Sequence, residues 1–164
     1  MTDYKQIYRD HTDAYDRLVA AEDCDGNLLP AIAVRVDLDG ARVIEAGVGT
    51  GRVARLLLAA GVTSLLGCDE SAEMLAVARD HLQRNPDAAG RWQLAVADIA
   101  ALPSADGSAD LAIAAWVLGH TTEWMAGDWP ELVDRAVAEM SRVVKPGGAV
   151  ILIETLGTGA AEPA

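Results

Sequence analysis

The residues of this sequence best placed to do chemistry surround Val43-Ile44-Glu45-Ala46-Gly47-Val48-Gly49-Thr50-Gly51-Arg52. A β-branched run meets three glycines in alternate positions, and a helical pattern (Val53, Leu56, Leu57, Ala60) follows at once. Glycines let the backbone turn sharply and leave no side chain between it and a ligand. The helix that opens next points unpaired N–H groups at whatever sits there. Such a strand–turn–helix is a cradle for a nucleoside cofactor. A dinucleotide fingerprint, G-x-G-x-x-G, would put its third glycine at position 52. That residue is Arg52; the third glycine comes one place early, at Gly51, and Glu45 sits just ahead of the bend.

Further candidates lie where later strands should end. Asp69 follows an apolar run about twenty residues after Gly47, where a carboxylate can accept from both ribose hydroxyls or else cap the next helix. Asp98-Ile99 follow another run and read alone as an ordinary turn. Met74 reads alone as core, and Trp116 as packing at the end of a strand. His120 lies just past that strand, as either a general base for an acceptor proton or a loop histidine. Tyr4, Tyr8, His11 and Tyr15 form a stripe that either closes over a pocket or buries one face of an amphipathic helix; Tyr15-Asp16 is its most testable part.

The elements that position these residues alternate. The spacing predicts a helix over residues 3–20 with Leu18 and Val19 on its apolar face, then a short helix from about Leu28 to Val36. Strands are expected at about 41–46, Ser64–Cys68, Trp92–Ala97, Asp110–Ala115 and Ala149–Ile153. Between them come a helix ending at Gly61 and one opening near Ser71, a plausible N-cap with Glu70 and Glu73 well placed against its dipole. That second helix packs with Met74, Leu75, Ala78 and Leu82. A last helix begins at Asp128 or Trp129-Pro130 and shows a Leu132, Val133, Ala136, Val137, Met140, Val143 stripe. Lys145-Pro146-Gly147-Gly148 reads as a turn, and Trp124 and Trp129 as core or lid. Strands alternating with helices imply right-handed βαβ units, a doubly wound parallel sheet with helices on both faces, and a ligand at the carboxyl ends of the strands.

In this order, the E-x-G-x-G-T-G of Glu45–Gly51, Asp69, Asp98-Ile99, Asp110–His120 and Arg142–Gly148 resemble the landmarks of the class I S-adenosylmethionine-dependent methyltransferases, small-molecule (type 11-like) branch. The resemblance implies an α/β Rossmann-like sheet of about five strands, order 3-2-1-4-5. It divides the chain into an N-terminal helical lid (1–38), a cofactor-binding core (39–156) and a tail (157–164). It implies S-adenosylmethionine as cofactor and methyl transfer to a small-molecule acceptor by in-line displacement. Glu45 would take the methionyl amino group, and Thr50 with the amides of Gly47, Gly49 and Gly51 the methionyl carboxylate. Asp69 with Glu70 would hold the ribose. Asp98 would meet the adenine amino group, while Ile99 and Met74 pack on the ring. Trp116 would wall the methyl pocket and present a ring face to the sulfonium. His120 and Tyr15 would lie toward the substrate. Such proteins usually carry two more strands after the fifth; about ten residues follow it here, so strand five is expected as a bare edge prone to self-association. A nicotinamide-dependent oxidoreductase, or a catalytically silent cofactor-binding or interaction domain, is the alternative.

Composition sets the outer bounds. The 164 residues suit one domain, and an apolar content of 51% excludes a mainly disordered chain. A net charge of −12 with no Lys/Arg cluster argues against a nucleic-acid partner. No apolar run is long enough to span a bilayer, and the first residues do not read as a signal peptide, so a cytoplasmic protein is expected. Cys24 and Cys68 form no C-x-x-C pair, so neither a disulfide framework nor a metal site is expected, and Cys68 reads as a small core residue.

Overall fold

In a computed structural model the described residues are 11–20, 23, 25–119 and 127–154. Helices α1 (Thr12–Ala20) and α2 (Leu28–Ala33) precede β1 (Arg42–Ala46), α3 (Arg52–Ala59), β2 (Ser64–Asp69) and α4 (Ala72–Gln83). A 3₁₀ turn, Pro86–Ala88, leads to β3 (Trp92–Val96) and β4 (Ala109–Ala115), then α5 (Trp129–Val143) and β5 (Val144–Ile153). The five strands are parallel, in the order β3-β2-β1-β4-β5. The chain reverses winding direction between β1 and β4, and a ligand crevice forms at such a switch point.

Side chains alternate across the sheet, so each face builds its own core. Val43, Leu111 and Ile113 join Leu28, Ile32, Leu57, Leu75 and Leu82 beneath α2, α3 and α4. Ile44, Ala112, Ala114 and Cys68 join Met140 and Val143 of α5 on the other face. With both faces covered, the strands read as nearly continuous apolar runs, which is why the limits of the first four are visible in the sequence to within a residue. Cys68 is buried and free, as its setting in a strand implies.

Three expectations need correction. Helix α2 stops at Ala33 rather than Val36, because the Arg35 N–H falls back to the Ile32 carbonyl and tightens the last turn while Val34 faces solvent. Lys145–Gly148 is not a turn ahead of the last strand but an excursion inside β5: Ala109 pairs with Val144, then Leu111 with Ala149. Leu18 is 65% exposed, so the buried stripe of α1 runs through Val19 without it. Of the two readings of Trp129, core or lid, its exposure at the start of α5 removes the first. Tyr4, Tyr8, Cys24, His120, Trp124 and the 157–164 tail lie outside the described residues.

Candidate functional site

The bend after β1 is held from below by the end of β2. The N–H groups of Gly47 and Val48 both donate to the Cys68 carbonyl at 2.8 Å, and the Gly51 N–H closes on the Val48 carbonyl. Asp69 completes the frame: Oδ2 accepts from the Gly49 N–H at 2.8 Å and Oδ1 from the Ser71 N–H at 2.9 Å. The bend is therefore not the row of unused amides that its sequence suggests, since the N–H groups of residues 47, 48, 49 and 51 already have protein acceptors. Asp69 thus braces the start of α4 and the bend at once, with a further hydrogen bond from the Glu70 backbone.

The three glycines do three different jobs. At Gly47 (φ +76°) an added Cβ would fall 2.3 Å from Val117 Cγ2, so this glycine makes room for the loop after β4. At Gly51 (φ +85°) it would press on Ala78 at 3.2 Å, so that position lets α4 pack close. Gly49 alone has open space above it. It is the one glycine whose missing side chain keeps the slot clear.

Under the bend, Glu45 is 2% exposed and its Oε2 is buried without a hydrogen-bond partner. Burial pushes its carboxyl well above the usual range, the nearby Asp69 adds to this, and Arg52 opposes it. Asp69 is raised as well, chiefly by burial, against the pull of the Ser71 and Gly49 amides. Cys68 lies beside both, and its thiol is pushed up to about 11 by burial. This end of the sheet thus gathers a buried acid with an orphaned acceptor, Glu45, and a half-buried one, Asp69.

The other candidates fall around this frame. Ser71 caps α4 by accepting from the Met74 N–H at 3.2 Å, with Glu73 in the first turn and Glu70 exposed just before it. Met74 is buried. Asp98 is exposed and fixes its own turn through the Ala100 N–H at 2.8 Å, while Ile99 packs half-buried against the α5-side core. One face of the Trp116 ring carries the Arg52 guanidinium, 4.2 Å from its centroid, and Trp116 itself adopts φ +56°. Tyr15 is half-buried on α1.

Sequence reasoning missed three residues. Arg52 was legible only as an absent glycine, yet it packs on Trp116 and its Nη1 donates to the Val19 carbonyl at 2.7 Å, tying α1 to the bend. Glu154, just past β5, accepts from the Val117 and Leu118 N–H groups at 3.1 and 2.7 Å and so braces the loop after β4. His81 sits beside Ala78 and Leu82 in the α4 stripe, and its Nδ1 is 3.2 Å from the Thr50 carbonyl. The signal for His81 was its place three residues past Ala78, the residue that underlies Gly51. Among the described residues no group of His, Cys, Asp and Glu could hold a metal ion.

Comparison with known proteins agrees with this geometry. Residues 44–152 match the family described as "Methyltransferase domain". A malonyl-[acyl-carrier protein] O-methyltransferase of Methylococcus capsulatus is 37% identical over 135 residues, 82% of this chain and 44% of the relative. A ubiquinone/menaquinone biosynthesis C-methyltransferase of Geotalea uraniireducens is 32% identical over 120 residues, 71% of this chain and 46% of that protein. A crystal structure of an S-adenosylmethionine-dependent methyltransferase from Mesorhizobium loti superposes with TM-score 0.60 at 26% identity, covering 77% of this chain and 50% of that one. The chain thus spans about half the length of the curated relatives it matches.

Proposed function

This chain belongs to the class I S-adenosylmethionine-dependent methyltransferase family, and from that premise we propose that it binds the cofactor over the 47–51 bend and transfers its methyl group to a small-molecule acceptor. The observation that carries the reading is the joining of Asp69 to Gly49 near the buried, partnerless Glu45 oxygen. S-adenosylmethionine supplies an electrophilic sulfonium methyl that an acceptor takes by in-line displacement.

The chain's own residues bind and orient. Glu45 would take the methionyl amino group, whose N–H donors and charge suit its orphaned Oε2. Thr50, buried at the mouth of the bend, would sit against the methionyl carboxylate. Asp69 would accept from the ribose hydroxyls, beside Glu70. Met74, Asp98 and Ile99 would enclose the adenine. Trp116, backed by Arg52, would wall the methyl side, with Tyr15 and His120 toward the acceptor. Alignment of the acceptor and exclusion of water are then the protein's main contributions. The relatives' names place the methyl on oxygen in one case and carbon in the other, so the proposal stops at a small-molecule acceptor. A net charge of −12 weighs against a nucleic-acid acceptor.

A dinucleotide fits this frame poorly. Its pyrophosphate would need the bend's amides, which are engaged, and would approach the acids Glu45 and Asp69. Calorimetric titration with S-adenosylhomocysteine and with NADH decides between them. The former should bind and the latter should not. Asp69→Asn should weaken binding by about 1–3 kcal/mol, the cost of a buried hydrogen-bond partner lost, with heat unfolding run alongside to confirm an intact fold. Binding of NADH alone, or an unchanged affinity in Asp69→Asn, would overturn the assignment. A screen of acceptors with labelled methyl donor then identifies the substrate.

A further inference from the structure

Helix α1 reaches the cofactor bend through an imidazole. His81 of α4 places Nδ1 3.2 Å from the Thr50 carbonyl oxygen and Nε2 3.3 Å from Asp16 Oδ2 on α1. Both side chains are largely buried, with 14% of His81 and 19% of Asp16 exposed. The other Asp16 oxygen, Oδ1, is buried and has no hydrogen-bond partner. A second tie runs the same way, from Arg52 Nη1 to the Val19 carbonyl. Both anchors on the core side, Thr50 and Arg52, flank Gly51.

The ring meets a polar partner on each side, the Thr50 carbonyl oxygen at Nδ1 and the Asp16 carboxyl at Nε2, so one side chain bridges α1 and the bend. We infer that His81 is a positioning residue: its ring clasps α1, through Asp16, onto the Thr50 corner of the cofactor bend and so holds Tyr15's helix beside the slot. The clasp stands on contacts within this chain, while its service to the cofactor rests on the function proposed above. Among the described residues, Asp16 is the acid that pairs with His81.

The test is amide hydrogen exchange over residues 12–20 in the full chain, for wild type, His81→Gln, Asp16→Asn and the double variant. Each single change should speed exchange about three- to tenfold, and the double variant should add little to either, as for two members of one contact. Asp16→Glu, which keeps the carboxyl, should exchange nearer to wild type than Asp16→Asn does. Unchanged exchange in His81→Gln or Asp16→Asn, additive effects, or an Asp16→Glu no better than Asp16→Asn would overturn the clasp. S-adenosylhomocysteine affinity, measured on the same proteins, should fall along with protection. A coupled cycle in a protein that binds no S-adenosylhomocysteine would support the clasp and sink the cofactor assignment.

Discussion

Glu45 is a side chain held at a cost. It sits under the bend, 2% exposed, with one carboxyl oxygen unpartnered and its titration raised mainly by burial. An acid whose folded value is raised favours the fold below the ordinary carboxylate range, and that contribution is lost as pH climbs through the raised value. Glu45→Gln removes the buried charge while keeping the shape. At neutral pH the variant should therefore be more stable than the parent without ligand, by about 1–3 kcal/mol, and its stability should vary less between about pH 5 and 8. Binding of S-adenosylhomocysteine should weaken in the same variant, the usual conflict between stability and a site prepared for a ligand. Heat unfolding at both pH values plus calorimetry reads all three, and a variant no more stable than the parent at neutral pH would show that the carboxyl carries no stored cost.

At the far end of the sheet from the slot, one acid joins three strands. Asp110 of β4 accepts from the Arg42 backbone N–H at 2.7 Å and from Arg42 Nε at 3.2 Å, and it pairs with Lys145 Nζ from the β5 excursion. The Lys145 hydrogen bond, then the Arg42 amide, hold its carboxyl down to about 2. A depressed carboxylate stabilises above its unfolded value and loses that contribution as pH falls through the folded one. Asp110→Asn should thus cost a few tenths to about 1 kcal/mol near neutral pH, as for ion pairs that solvent reaches. The gap from wild type should close as pH drops from about 4 toward 2. Denaturant unfolding across that range checks it, and a gap constant with pH would assign the effect to something other than the carboxylate. This cluster also explains what was readable. Lys145-Pro146-Gly147-Gly148 announces a departure from regular strand, but its form depends on Asp110. An added Cβ at Gly148 would lie 2.7 Å from the Asp110 carbonyl, so β5 resumes pairing after the excursion instead of starting there. The alternation of strands and helices, most of the helix stripes and the Ser71 cap follow from local pattern, whereas strand order comes from the family resemblance. Which acceptor each bend amide meets depends on the Cys68 carbonyl and Asp69 one strand over, and no local pattern encodes that. Likewise Trp116 was readable as an aromatic at a strand end, whereas the cation it faces belongs to Arg52 across the switch point.

At the scale of the whole sheet, the two cores close its middle, and among the described residues β5 has no neighbour on its outer side. Its first half is guarded, because the excursion and Pro146 interrupt the ladder that another strand would need. Its second half, from Ala149 to Ile153, is regular, with Val150 37% and Leu152 44% exposed. A regular apolar edge can take another strand, and we propose that two copies meet there. The net charge of −12 opposes that meeting over long range, and salt screens it. Sedimentation should therefore give a mass that rises with protein concentration and rises further when salt is raised from about 0.01 to 0.15 M, where the screening length shrinks from about 30 to 8 Å. Leu152→Lys places a charge on the outward face of the edge and should keep the chain monomeric at either salt. A monomer at high concentration in both salts would remove the edge from the account, as would association that persists in Leu152→Lys.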